Sequence, residues 1–269
     1  MSVQVTYAVG DVHGRLDLTL AALRAIRAHT AGLVSKLVFL GDYVDRGPNS
    51  REVVELLIKL QQDSSVVCLK GNHEDLMVKA LTDQGETTFG RWIENGGRET
   101  LRSYGASSLE EAEAKIPDQH VRWMKGLPLT SGDGQRVYVH AGLKPSTPFE
   151  KQDEESLLWI RERFLRADAG AFTEHVVHGH TPVWAGKPDP ARPEILAHRT
   201  NLDTGGYYTG VLTVGVFPAG RPGGPEELIV VRAPGGERPV AETVSATQFA
   251  AAPGPATPGR RGWRGLLKR

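Results

Sequence analysis

The sequence predicts an α/β fold, a β-sandwich of two mixed sheets flanked by helices. Three observations carry that expectation. Short apolar runs rich in β-branched residues alternate with amphipathic helical patterns up to Lys70. After residue 195 the apolar runs follow one another directly, joined by Gly-rich connections such as Gly205-Gly206. Between them, Glu74–Ser131 has no strand pattern at all.

The expected strands are Val3–Val9, Lys36–Leu40, Val66–Lys70, Arg136–His140, His175–His178, Ile195–Asp203, Gly210–Phe217 and Glu226–Arg232. Leu16–His29 carries Leu16, Leu20, Leu23 and Ile26 at spacings of three and four. Ser50–Gln61 does the same with Val53, Val54, Leu57 and Leu60. A strand–helix–strand–helix–strand order implies parallel pairing with right-handed crossovers. The late run of strands implies antiparallel pairing.

Residues 75–135 are expected to form a helical cap insertion, with helices near Leu76–Thr82, Thr88–Ser103 and Leu109–Lys125. Insertions at strand ends commonly carry function, so a wall over a site is favoured over simple enlargement of the domain. The main domain is expected over residues 1–232. From Ala233 the composition turns to Ala, Gly, Pro, Ser and Thr, too poor in large apolar groups to order the chain. Residues 233–269 are therefore expected to be a disordered linker ending in a basic amphipathic segment.

The 269 residues suffice for one large domain or two small ones. Basic and acidic residues balance at 32 each, so no bulk charge points to nucleic acid. Five of the basic residues lie in Arg260–Arg269; without them 27 face 32 acidic ones. That cationic end, with Trp263, Leu266 and Leu267, could be a weak anchor to anionic lipid or a docking peptide. Gly262 and Gly265 weaken any helix there, and a solvated terminus is favoured. The single cysteine, Cys68, lies in an apolar run and allows no internal disulfide. The polar start of the chain is too short for a signal peptide, and a cytoplasmic location is expected.

Three blocks carry the chemistry: Gly10-Asp11-Val12-His13-Gly14, Gly41-Asp42-Tyr43-Val44-Asp45-Arg46-Gly47 and Gly71-Asn72-His73-Glu74. Each follows an apolar run, so oxygen and nitrogen ligands appear at the carboxyl ends of strands, where an α/β sheet opens its crevice. Asp11 and His13 are two apart and can point the same way. The two oxygens of a carboxylate such as Asp42 can bridge metals about 3.5–4 Å apart. Asn72 adds a carbonyl oxygen, and His140 and His180 add imidazoles after later strands. Mixed oxygen and nitrogen ligation without thiolate suits manganese, iron or zinc. Taken singly, each position reads as an ordinary turn residue. Their joint placement is what suggests two divalent metal ions.

Together these blocks resemble the signatures of the phosphoprotein phosphatase branch of the calcineurin-like metallophosphoesterases, in its compact bacterial and phage form. His140 and Gly179-His180 follow in the same order, and the likeness spans residues 10 to about 215. It implies a dinuclear-metal phosphomonoesterase, a protein serine/threonine phosphatase first, whose metal-bridging hydroxide attacks phosphorus in line. Asp11 and His13 would hold one metal, Asp42 would bridge, and Asn72, His140 and His180 would hold the second. Manganese is the expected ion, with iron or zinc as alternatives. His73 would be the general acid, oriented by Asp45. Arg46 would bind phosphate oxygens, beside Asn72 and a second arginine. Leu157-Leu158-Trp159-Ile160-Arg161 resembles the segment that supplies it, so Arg161 is preferred over Arg163 and Arg166. The frame His178-Gly179-His180 favours His180 as ligand and leaves His178 a strand or supporting residue. His29, His120, His175 and His198 have no ligand frame.

Trp92-Ile93-x-Asn95-Gly96-Gly97-x-x-Thr100-Leu101-x-Ser103-Tyr104-Gly105 also resembles a cap segment of bacterial relatives. Relatives in the same branch cleave diadenosine tetraphosphate symmetrically with nearly the same blocks, so a phosphorylated protein and a nucleotide are both candidate substrates. A non-catalytic binding module on this scaffold is disfavoured, because no ligand or acid is missing.

Overall fold

The computed structural model describes residues 2–82, 86–182 and 191–249. Its first half alternates strand and helix: β1 (Val5–Val9), α1 (Leu16–Thr30), β2 (Ser35–Phe39), α2 (Ser50–Leu60) and β3 (Val66–Cys68). A helical insertion follows, with α3 (Asn72–Thr82), α4 (Glu86–Trp92), a π turn at Ile93–Gly97, α5 (Arg98–Ser103), α6 (Leu109–Lys115) and α7 (Asp118–Lys125). Next come β4 (Thr130–Gly132), β5 (Arg136–Val139), α8 (Glu154–Trp159), α9 (Glu162–Leu165) and β6 (His175–His178). The chain continues through β7 (Glu194–Ile195), β8 (Arg199–Asn201), α10 (Gly206–Thr209), β9 (Val211–Pro218), β10 (Glu227–Arg232) and β11 (Val240–Ser245).

Two mixed sheets result. The larger runs β11-β10-β9-β1-β2-β3 and the smaller β4-β5-β6-β8-β7. β1, β2 and β3 are parallel, and β9, β10 and β11 join them antiparallel. In the smaller sheet β5, β6 and β8 are parallel between antiparallel edges. Alternation along each strand builds the layers. In β1, Val5, Tyr7 and Val9 face α1 and α2, packing with Leu18, Ile26 and Leu57. Ala8 faces the other way and joins Val38, Tyr138, Val177 and Leu228 between the sheets. Helices α8 and α9 cover the outer face of the smaller sheet, where Leu157 and Phe164 meet Val137 and Val176.

Several sequence expectations shift. Ile195–Asp203 is not one strand: Ile195 pairs with Thr200 across a tight turn closed by Leu196 N–H to Arg199 O at 2.8 Å. Its apolar pattern runs through that turn without glycine or proline, so pattern alone reads it as continuous. The helix expected at Leu109–Lys125 breaks at Pro117, which has φ −61° and ψ 133°. That expected at Thr88–Ser103 is interrupted at Gly96, with φ 108°. Past residue 232 the chain is ordered further than its composition suggests. β11 adds to the sheet edge through backbone pairing to β10, and Val244 and Phe249 pack on the core. Backbone hydrogen bonds need no large side chains. The basic segment 260–269 lies outside the described residues. Among those described, no helix is long and apolar enough to cross a membrane.

The insertion has a core of its own, in which Leu76, Met77, Trp92, Leu101, Tyr104 and Met124 pack against Val44 and Val54. It therefore sits beside the loop that follows β2.

Candidate metal centre

The three blocks and the two later histidines meet at the carboxyl ends of β1, β2, β3, β5 and β6. Asp11 and His13 follow β1, and Asp42, Asp45 and Arg46 follow β2. His140 and His180 follow β5 and β6. Asn72 and His73 form the first turn of α3, which the sequence reading starts four residues later. Seven described non-glycine residues have positive φ, and five of them are here: His13, Asp42, Asp45, Arg46 and His180. Such strain persists only where surrounding bonds over-determine it. His13 N–H donates to Asp42 O at 2.8 Å, and Gly14 N–H to Tyr43 O at 2.8 Å.

Asp42 lies at the centre. His13 Nε2 is 3.4 Å from its Oδ2, and His140 Nε2 is 3.3 Å from its Oδ1. Asn72 Oδ1 lies 2.9 Å from His140 Nε2 and 2.8 Å from His180 Nδ1. Two clusters of donor atoms thus share one carboxylate: His13 and Asp42 on one side, with His73 close by, and Asp42, His140 and His180 on the other. Asp11 stands beside them, its carboxylate accepting the His180 backbone N–H at 3.0–3.2 Å.

This donor set fits two metal ions. His13 Nδ1 donates to Val44 O, and His140 Nδ1 to Leu40 O, each at 2.9 Å. Those bonds fix the tautomers and leave each Nε2 lone pair turned toward Asp42. His180 Nε2 is buried without a hydrogen-bond partner. Burial lowers the proton affinity of His13, His140 and His180, keeping the rings in the neutral form a metal requires. Burial works the other way on Asp42, but the imidazoles around it outweigh that and hold the carboxyl below its usual range.

A second device adjoins the first. His73 Nδ1 donates to Asp45 Oδ2 at 2.7 Å, and His73 Nε2 lies 3.8 Å from Asp42 Oδ2. Burial opposes protonation of His73, but Asp42 and Asp45 overcome it and raise its proton affinity. Arg46 donates Nη1–H to His13 Nε2 at 3.0 Å. Across the site, Arg161 donates to Thr181 Oγ1 at 3.1 Å and His180 O at 3.3 Å. Arg166 is turned away to Glu162 at 2.5 Å, and Arg163 lines a surface groove with Pro145 and Asp168.

His178 points from the other side of β6. It is buried, edge-on to Phe164 at 4.9 Å, with Nδ1 toward Gly179 O. His29, His120 and His175 bond within the protein to Tyr7, Tyr104 and Thr200, and His198 stacks on Phe172.

Five neighbours of the site are given no role by the sequence reading. Glu74 receives four backbone N–H groups, from Asp42, Tyr43, Val44 and Gly71. Trp92 and Thr100 bond to Asp45. Asp203, at the end of β8, is raised to about 6 by burial and by Asp42. Tyr207 lies 5.5 Å from the His13 ring, with the Arg46 guanidinium 5.1 Å over its own. Glu74 is visible in its block, and Asp203 obeys the strand-end rule. Nothing local marks Tyr207.

A strand-end cluster of imidazoles around one shared carboxylate, on a two-sheet sandwich, defines a metal-dependent phosphoester hydrolase. The chain belongs to the calcineurin-like phosphoesterase family, which it matches over residues 5–208. It is 29% identical over 211 residues to serine/threonine-protein phosphatase 1 of Salmonella typhimurium, covering 77% of this chain and 89% of that one. It is 27% identical over 241 residues to the asymmetrical bis(5′-nucleosyl)-tetraphosphatase PrpE of Anoxybacillus flavithermus, covering 78% and 89%. A cold-active protein-tyrosine phosphatase from a Shewanella species shares the fold, with TM-score 0.52 and 15% identity over 89% of this chain and 80% of that one.

Proposed function

We propose that this phosphatase removes phosphate from phosphoserine and phosphothreonine in proteins, with manganese as its ion, in the cytoplasm. The observation that carries the reading is Asp42 between two imidazole groups, with the His73–Asp45 pair alongside. In this reading Asp11, His13 and Asp42 hold one ion, and Asp42, Asn72, His140 and His180 hold the other. When bound, the two ions supply Lewis-acid polarisation of the phosphoryl group and an acidified water.

The chain's own residues do the rest. Arg46 and Arg161 flank the site and offer planar forks to phosphate oxygens. Asn72 adds an amide beside them. Because His73 donates its Nδ1–H in a hydrogen bond to Asp45, its Nε2 proton is the transferable one, and it faces the site. It passes to the serine or threonine oxygen as the P–O bond breaks. The likeness to serine/threonine-protein phosphatase 1 across most of the chain supports the protein substrate.

A second reading, hydrolysis of a dinucleoside tetraphosphate, is supported by the PrpE relatives and by the Tyr207 ring beside Arg46, which suits a nucleobase. A relative named a symmetrical tetraphosphatase, from Pseudomonas syringae pv. syringae, is 33% identical over 54% of this chain. One assay separates the readings. With manganese, free phosphate from a phosphopeptide at far higher kcat/KM than any cleavage of diadenosine tetraphosphate supports the first. Preferential release of two ADP, or of ATP and AMP, overturns it.

A further inference from the structure

The segment Trp92-Ile93-x-Asn95-Gly96-Gly97-x-x-Thr100 has no part in the reaction as described so far. We propose that it is a clamp on Asp45 and Arg46, in which Trp92 and Thr100 are positioning residues that fix the Asp45 carboxylate against His73. The proposal rests on the reading of His73 as the proton donor.

Trp92, Gly96, Gly97 and Thr100 each have a place in that clamp, whereas Asn95 bonds back to Arg91 O. Trp92, fully buried, donates its indole Nε1–H to Asp45 Oδ1 at 2.9 Å and Oδ2 at 3.1 Å. Thr100, also fully buried, donates Oγ1–H to Asp45 Oδ1 at 2.7 Å and accepts the Asp45 backbone N–H at 2.8 Å. The π turn at Ile93–Gly97 resets the helix phase between them, so both side chains meet at one carboxylate. Gly96 O accepts the Arg46 backbone N–H at 3.1 Å. With φ +108°, Gly96 adopts a backbone that favours glycine, and a Cβ there would lie 2.7 Å from Arg46 Cγ. Gly97 lies against the indole, where a Cβ would be 2.7 Å from the ring.

The consequence is directional. With Thr100 on Oδ1 and the Trp92 indole spanning both oxygens, Oδ2 is presented to His73 Nδ1, and turning the carboxylate plane would break these buried bonds. The Asp45 and Arg46 backbones, at φ 71° and 68°, are held by the same segment. The insertion therefore does more than wall the site. It fixes the angle from which the acid approaches the leaving oxygen, because a proton donor must be aligned as well as present.

The test is a leaving-group series on the full chain with manganese, comparing Thr100→Val, Trp92→Phe and Thr100→Ser. Leaving groups that depart as stable anions need no proton, whereas alkoxides do. Thr100→Val and Trp92→Phe should each lower kcat roughly tenfold or more on an alkyl phosphate, yet only about threefold or less on 2,4-dinitrophenyl phosphate, with KM little changed. Thr100→Ser, which keeps the hydroxyl, should restore the alkyl phosphate rate. In metal-free protein, the downfield proton resonance of His73 Nδ1–H should move in the first two variants and not in Thr100→Ser. Equal losses across the series, no loss, or an unmoved resonance in Trp92→Phe would overturn the clamp. A wild-type chain that cleaves none of the esters would instead remove the underlying reading, and the clamp with it.

Discussion

Glu74 accepts the backbone N–H of Asp42 at 2.9 Å through the same Oε2 that takes the Gly71 N–H at 2.9 Å. Its other oxygen receives Tyr43 and Val44 at 2.7 and 3.2 Å. One buried carboxylate thus organises the backbone of two ligand blocks and holds Asp42 at φ 54°. Glu74→Gln would turn an NH2 group toward those N–H donors. It should cost about 1–3 kcal/mol in chemical denaturation and weaken manganese binding by calorimetry. An unchanged denaturation midpoint would contradict this role.

Asp42 and His73 should separate by metal content. Asp42→Asn removes the charge shared by both ligand groups and should lower both activity and bound metal. His73→Asn should keep the metal and lower kcat about 10²–10⁴-fold, the usual contribution of a positioned acid. Metal analysis alongside steady-state kinetics reads both, and near-wild-type turnover in either variant would refute the assignment.

Tyr207 holds the Arg46 guanidinium over its ring while 37% exposed. An exposed cation–π contact contributes about 0.5–1 kcal/mol. Tyr207→Ala should therefore raise KM for an aryl phosphate roughly two- to fivefold, and Tyr207→Phe should leave it near wild type. An identical KM in the alanine variant would show that the ring does not steady Arg46.

His175, at the start of β6, makes stability depend on pH. Burial lowers its ring to about 4, and its Nε2 meets Thr200 Oγ1 at 2.8 Å. The fold prefers the neutral ring, so below pH 6.5 the unfolded chain takes up a proton that the folded chain refuses. Stability should be complete above about 6.5 and fall as pH drops toward about 4, by up to about 3 kcal/mol. The buried rings of His13, His140, His178 and His180 add to the same slope, so denaturation at several pH values should show it, and His175→Gln should reduce it without abolishing it.

The parallel half of the fold and the ligand types were legible because both are local. β1, β2 and β3 show as apolar runs, and the oxygen and nitrogen donors follow them directly. The hairpin at β7 and β8 was not, since its turn lacks glycine and proline. β11 was not either, because an edge strand is held by backbone pairing that composition does not record. In the site, Asp45 could be given a partner in His73 through the family resemblance, but Trp92 and Thr100 could not. They are 47 and 55 residues from Asp45 and reach it only through the packing of the insertion.

By itself the sequence determined which groups stand at the strand ends, and so the class of reaction. A side chain's place relative to the end of its own strand is set by a few covalent bonds. Only the tertiary structure decided that Asp42 lies between two imidazole groups, that Glu74 holds its backbone, and that Tyr207 faces Arg46. Those relations join segments from different strands and the insertion. Their distances come from how two sheets and a helical core pack, and no local pattern encodes that packing.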